Sequence, residues 1–264
     1  MVSRFRAILA RRDILTLLVI RDLRVKYTNS KLGYFWSVLD PLLMAGVYWF
    51  VFTQIFSRGV GQEPYLLFLL LGILPWTWAQ GAIRGSLTAL TSDAKLVRSS
   101  NLSREIWILR LVGSRGMDYI FSLPALVLFI LIYWQRPSLY LLAFPLAVLI
   151  QIVFLVGIGL TLAPLAVLYD DVKRLARVVM RVLFYFSPVI YGVRDVQEGT
   201  PDWIYRIYIL NPMAGIFDLY RAAFFPDHFA GWSVVAVAGA VSLGFLALGM
   251  FVFSRLEGRV LKEM

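Results

Sequence analysis

The chain has 264 residues, 60% of them hydrophobic and 16% charged, and its mean hydropathy is +0.75. Soluble domains carry about 25% charged residues. A skin this thin leaves lipid to cover much of the surface, which excludes an ordinary soluble enzyme and a disordered chain. The lack of cysteine excludes a disulfide scaffold and thiolate chemistry, and a single histidine, His228, excludes a histidine-based metal cluster.

The first 30 residues interleave apolar residues with arginine. The apolar run Ile14–Ile20 is short, is flanked by charge and lacks a small-residue cleavage site, so it is not a secretory signal. The pattern predicts an amphipathic helix lying in the inner membrane interface, within an N-terminal segment 1–32 that precedes a transmembrane domain 33–264. Five stretches then run essentially without charge: 41–57, 64–83, 119–135, 137–169 and 229–254. Each is long enough, or nearly so, to cross a hydrocarbon core that takes roughly 17–25 helical residues. A sixth, 182–193, is short, and reaches spanning length only if Lys173 or Arg177 snorkels to the surface.

Charge placement favours six spans. Most of the Lys and Arg fall before the first span, between spans two and three (Lys95, Arg98, Arg104, Arg110, Arg115), between spans four and five (Lys173, Arg174, Arg177, Arg181) and in the tail (Arg255, Arg259, Lys262). With six spans all these segments lie on the cytoplasmic side, as the positive-inside rule requires. With five the basic tail would face outward. The net charge of +10 therefore records topology, not nucleic-acid binding. Before the last span, the segment 194–228 turns aromatic and is broken by Asn211-Pro212. It predicts short outer helices, re-entrant or surface-lying.

Catalytic signatures are absent. Gly-Lys never occurs, so there is no Walker A loop, and neither GxSxG nor HExxH is present. Asp40-Pro41 reads as a helix start, with Asp as cap and Pro at the first position. Asp118 stands three residues after Arg115, a spacing that pairs them on one helix face. Asp170-Asp171 reads as a solvated turn or docking element beside Lys173 and Arg174. Asn101-Leu102-Ser103 matches a glycosylation acceptor but falls on the cytoplasmic side.

Trp76, Trp78, Tyr133, Trp134 and Trp232 are expected at the membrane interfaces. Tyr48, Trp49 and Phe52 in span one, and Phe184, Tyr185 and Tyr191 around span five, lie deeper. Such aromatic faces suit either helix packing or the C–H faces of sugar rings sliding past.

Several strings together resemble ABC-2 type permeases that export polysaccharides, a family that includes O-antigen, capsule, teichoic acid and galactan exporters. They are Arg21-Asp22-Leu23, Tyr27, Ser30, Leu32-Gly33-Tyr34, Trp36 and Pro41; then Arg104-Glu105-Ile106, Ser187-Pro188-Val189-Ile190-Tyr191, Leu210-Asn211-Pro212 and Tyr220-Arg221. Leu102-Ser103 and Asp170-Asp171 stand where the family shows Phe-Pro and Arg-Asp. The resemblance implies a non-catalytic permease of the bacterial plasma membrane, two copies of which form a channel on two copies of a separate Walker A ATPase that binds ATP and Mg²⁺. It implies coupling segments around Ser92–Asn101 and Tyr169–Arg174, with Lys95, Leu96, Arg98, Arg104, Glu105, Asp170, Asp171 and Lys173 as contacts. The cargo it implies is a polysaccharide on a polyprenyl diphosphate, and Arg21, Arg24 and Lys26 are placed to attract that diphosphate. An ABC-2 permease for a drug or lipid, and a membrane enzyme acting on polyprenyl lipids through Asp118, Asp170 or His228, are the alternatives.

Overall fold

The computed structural model describes residues 12–28, 31–55, 61–92, 94 and 102–263. Among these, every regular element is helical. Helix α1 spans Arg12–Thr28. A 3-10 turn at Gly33–Phe35 leads into α2, Trp36–Trp49, which continues as a wider π-turn over Phe50–Ile55. Then follow α3 (Tyr65–Ser86), α4 (Glu105–Ile132), a 3-10 turn at Leu139–Ala143 and α5 (Phe144–Leu168). Helix α6 is Asp170–Phe186, and three short helices come next: α7 (Val193–Gly199), α8 (Asp202–Tyr208) and α9 (Pro212–Ala222). The long α10, Trp232–Glu263, closes the described chain.

Helix α3 is the axis of the fold. It touches α2, α4, α5, α6 and α9, and 78% of its apolar window is buried, against 11% for the window of α2. The contrast sorts the spans, because α3 faces protein and α2 faces lipid or another chain. Trp76 and Trp78 lie in α3 and are buried, not in an interface belt. Trp78 Nε1 donates to the Val112 carbonyl at 3.1 Å and its ring stacks on Tyr119. The belt positions at Trp134 and Trp232 are exposed, at the end of α4 and the start of α10.

The longest helix contact joins α5 and α10. A Cβ on Gly249 would collide with the Gly157 carbonyl oxygen, and one on Gly157 would lie 2.5 Å from the Leu246 nitrogen. Two side-chain-free positions therefore let the backbones meet, and close van der Waals packing replaces the hydrophobic drive that lipid does not supply.

Among the described residues, five helices are long and apolar enough to cross a membrane: Gly33–Ile55, Tyr65–Ser86, Glu105–Ile132, Leu139–Leu168 and Trp232–Glu263. Helix α6 is shorter and strongly two-faced. Ala176 and Met180 turn inward while Arg177 and Arg181 are exposed. The stretch 182–193 is not one helix. It stops at Phe186, Ser187 is extended, and Pro188 follows. A residue before proline is pushed out of the helical region, which ends α6 there.

Asp40 is not a cap. Helix α2 begins at Trp36, so Pro41 lies inside it and forfeits a bond to the Ser37 carbonyl. Tertiary contact extends the start: the Tyr34 ring lies 4.3 Å from that of Tyr27 and 5.0 Å from that of Phe121. These contacts hold the lead-in turn against α1 and α4, one turn ahead of the sequence signal.

In the segment 194–228, α9 is buried along its whole length. Asn211 caps it, its side chain accepting from the Met213 amide at 3.1 Å, with Pro212 in the first turn. At the other end Ser138 Oγ donates to the Ala222 carbonyl and Gln135 Nε2 to the Phe224 carbonyl, each at 2.8 Å. A buried helix end left without such partners would be costly.

Candidate functional site

Three arrangements carry polar or aromatic chemistry beyond packing. The first is an aromatic seam between α2, α3 and α6. The Tyr48 and Phe184 rings stack with centroids 5.7 Å apart and planes 27° apart. Phe52 lies 6.5 Å from Tyr48, Trp76 5.5 Å from Phe184, and Tyr185 5.2 Å from Phe184. Tyr191 falls in the turn after α6, and its hydroxyl donates to the Tyr185 carbonyl at 2.9 Å. The residues expected from span one and span five thus come together, with one exception. Trp49 is exposed and makes no ring contact among the described residues. Trp76 joins the seam instead. It sits midway along α3, where an interface tryptophan would sit at an end, and that position was legible.

The second arrangement is a guanidinium hub. Arg221, buried on α9, donates to the carbonyls of Pro188, Tyr191 and Val189, each at 2.6 Å, and lies 3.7 Å over the Phe68 ring. A Cβ on Gly72 would strike the Val189 carbonyl oxygen, so only glycine lets α3 approach this turn. Asn211 Nδ2 donates to Ser187 Oγ at 2.9 Å. Tyr220 donates to Gln151, whose amide donates to the Pro75 carbonyl. The strings Ser187–Tyr191, Asn211-Pro212 and Tyr220-Arg221, far apart in sequence, are one structural unit. One turn before Arg221, burial pushes the Asp218 carboxyl up to about 7. The Ala230 amide at 2.9 Å and the cations Arg221 and Arg194 oppose this.

The third is a cavity of about 590 Å³ between α1 and the ends of α3 and α4. Arg21, Lys26, Arg110 and Arg115 line it, with Asp22 and Asp118. The carboxylates lock α1 onto α4. Lys26 Nζ lies 2.8 Å and Arg115 Nη1 3.3 Å from Asp118 Oδ2, Tyr27 donates to Asp118 Oδ1 at 2.7 Å, and Arg110 Nε lies 2.9 Å from Asp22 Oδ2. The expected Arg115–Asp118 pair is therefore present within a larger network. Arg24 is exposed and does not line the cavity, while Arg110, read from sequence only as a topology charge, and Arg115, read as one and as the partner of Asp118, do.

The expected coupling residues that are described stand at the starts of α4 and α6. Arg104 at the start of α4 pairs with Glu257 near the end of α10 at 2.8 Å. Leu87, Ala166 and Ala176 cluster the ends of α3 and α5 with the start of α6. Glu105 opens α4, and Asp170 and Asp171 open α6, where Lys173 Nζ lies 2.8 Å from Asp170. Lys95, Leu96 and Arg98 lie outside the described residues.

Residues 14–225, from α1 through α9, match the family model of the ABC-2 type transporter. The chain belongs to the ABC-2 type transporter family. Among its relatives, the O-antigen export system permease protein RfbA of Klebsiella pneumoniae is 26% identical over 94% of this chain and 93% of its own length. That of Myxococcus xanthus is 26% identical over 96% of each. The polysialic acid transport protein KpsM of Escherichia coli is 20% identical over 88% of this chain and 85% of its own length. In this ABC-2 membrane subunit the seam, the hub and the whole lining of the basic cavity fall inside the matched region, and α10 lies beyond it.

Proposed function

We propose that this chain is the permease subunit of an ATP-driven exporter that moves a polyprenyl-diphosphate-linked polysaccharide from the inner to the outer leaflet of the bacterial plasma membrane. The relatives' roles in O-antigen export and polysialic acid transport support the cargo class. The observation that carries the route is the Tyr48–Phe184 stack and the rings that extend it to exposed Tyr185. Ring faces hold a sugar by its C–H surface without strong directional bonds, so successive units of a polymer slide past.

The chain works as two copies on two copies of a separate ATPase, which binds ATP and Mg²⁺. One copy leaves α2 and α6 with open apolar faces, Leu43, Val47 and Phe50 on one and Leu175, Val178 and Val182 on the other. A two-fold pair would close these around a lumen. Helix α6 is the sixth span in that assembly, its charged inner half lining protein or water and its long side chains reaching the surface. Both termini are then cytoplasmic, α1 lies along the inner interface, and α7, α8 and α9 form the outer gate. ATP-driven closure of the ATPases pushes on the segments around 92–101 and 169–174, and the shift parts α2 from α6. Arg21, Lys26, Arg110 and Arg115 receive the diphosphate, whose two negative charges match four cations less two carboxylates.

The test is reconstitution of the chain with the co-purifying ATPase in vesicles loaded with lipid-linked polysaccharide. ATP-dependent appearance of glycan on the opposite face is expected, with loss of it in Tyr48→Ala/Phe184→Ala. A chain that purifies without an ATPase and modifies a polyprenyl lipid would overturn the proposal.

A further inference from the structure

Asp40 is left without the role its sequence context gives it. It is not a helix cap, it lies inside a membrane-spanning helix, and it makes no hydrogen bond or ion pair with the described residues. An ionisable group placed there marks a functional site more often than a structural one. Asp40 opens onto a second cavity, of about 200 Å³, between α2, α3 and α4. Trp36 and Trp78 supply its aromatic walls and Ser37, Thr77 and Ser122 its hydroxyls. Lys26, Arg115 and Asp118 line both this cavity and the cationic one, so the two are neighbours across a shared wall.

The chemistry of this second cavity differs from that of the first. Carboxylate oxygens accept from sugar hydroxyls, and charge-assisted bonds of this kind are roughly twice as strong as neutral ones. Indole faces cover the apolar C–H face of a ring. The Thr77 and Ser122 hydroxyls donate to the carbonyls of Leu74 and Tyr119, which leaves their oxygens as acceptors toward the cavity. The volume suits one ring and not a chain. The mixture also explains why a carboxylate stands beside Lys26 and Arg115 without pairing with them: a site for a phosphate alone gains nothing from it.

The geometry points to a subsite for the single sugar next to the lipid diphosphate, with Asp40 as the residue that reads its hydroxyls and Trp36 as its stacking face. This rests on the exporter reading above and deepens it. The diphosphate sits among Arg21, Lys26, Arg110 and Arg115, and the first sugar reaches through the shared wall into the Asp40 cavity. The carrier is thereby recognised only when it bears a glycan.

The test uses the complete transporter, chain and ATPase together, in nanodiscs. Four probes are titrated and followed by tryptophan fluorescence: bare polyprenyl diphosphate, the same carrier bearing one hexose, the carrier bearing one N-acetylhexosamine, and a uridine-diphosphate sugar. Wild type is expected to bind a sugar-bearing carrier about 10-fold more tightly than the bare one. Asp40→Asn is expected to abolish that ratio while leaving bare-carrier affinity unchanged, and Trp36→Leu to reduce it. The substitutions are conservative at exposed positions, and a matching elution volume with bound ATPase checks the fold. If wild type does not discriminate, or if Asp40→Asn discriminates as wild type does, the subsite is overturned while export of the full polysaccharide still upholds the exporter. If the nucleotide sugar binds as tightly as the lipid-linked one, the cavity serves a soluble ligand and the inference is again overturned. If wild type neither binds a carrier nor exports polysaccharide, the exporter reading falls with it.

Discussion

Tyr48 on α2 stacks on Phe184 of α6 with ring centroids 5.7 Å apart, which ties a span that buries little of its surface to a two-faced helix. Such a pair is worth about 0.5–1.5 kcal/mol beyond its area. A tie of that size is small enough for the motion proposed above to part α2 from α6. A double-mutant cycle on thermal unfolding with Tyr48→Ala and Phe184→Ala is expected to give a coupling in that range. A coupling near zero would mean that the rings are neighbours without an energetic tie.

Arg221 binds four carbonyls, those of Pro188, Tyr191, Val189 and, at 3.4 Å, Phe68, and covers a ring at once, which only a planar fork can do. Arg221→Ala leaves those carbonyls buried without donors, at about 1–3 kcal/mol each. A loss of at least about 3 kcal/mol, or failure to assemble, is expected. Arg221→Lys should rescue little of it, because an ammonium has three donors on one atom, fewer than the four acceptors, and no planar face to lay over the Phe68 ring. A melting temperature for Arg221→Lys within a degree or two of wild type would contradict this.

The Asp218 carboxyl, held up to about 7 by burial, gives a pH signature. Its folded pKa lies above the unfolded value of about 3.9. The protonated form is therefore favoured in the fold, and the contribution is full below about pH 4 and lost as pH rises through about 7. The purified protein is expected to melt higher at pH 5.5 than at pH 8, and Asp218→Asn to flatten that slope. An unchanged slope in the variant would assign the pH dependence to other groups.

Asp118 takes Lys26, Tyr27 and Arg115 on one carboxylate. Asp118→Asn is expected to raise amide hydrogen exchange across Arg12–Thr28 while α10, which among the described residues supplies no partner to Asp118, stays as protected as before. Uniform protection in both would show that the Arg110–Asp22 pair and the buried Leu18 and Leu23 suffice to hold α1 in place.

The spans were legible because lack of charge over some twenty residues is a strong physical signal. Their ends were not. Helix α2 starts at Trp36 instead of Pro41 because rings from α1 and α4 organise the preceding turn, a tertiary contact that local capping patterns do not encode. The aromatic clusters were legible, yet Trp76 was misplaced because tryptophan composition points to interfaces unless its depth along the helix is counted. Arg110 was read only as a topology charge, and Arg115 as one and as the partner of Asp118, since positive-inside bias and a cationic cavity leave the same mark on a sequence. Only their approach to Arg21 and Lys26 across α1 and α4 separates the two.

The most direct test of the glycan route is a photo-crosslinking amino acid at position 185, at the open end of the seam, with position 134 at the exposed end of α4 as control. In ATP-energised vesicles that are exporting lipid-linked polysaccharide, the account predicts a glycan adduct at 185 that depends on ATP, and none at 134. Adducts at 185 that carry only phospholipid, or equal glycan adducts at both positions, would contradict it.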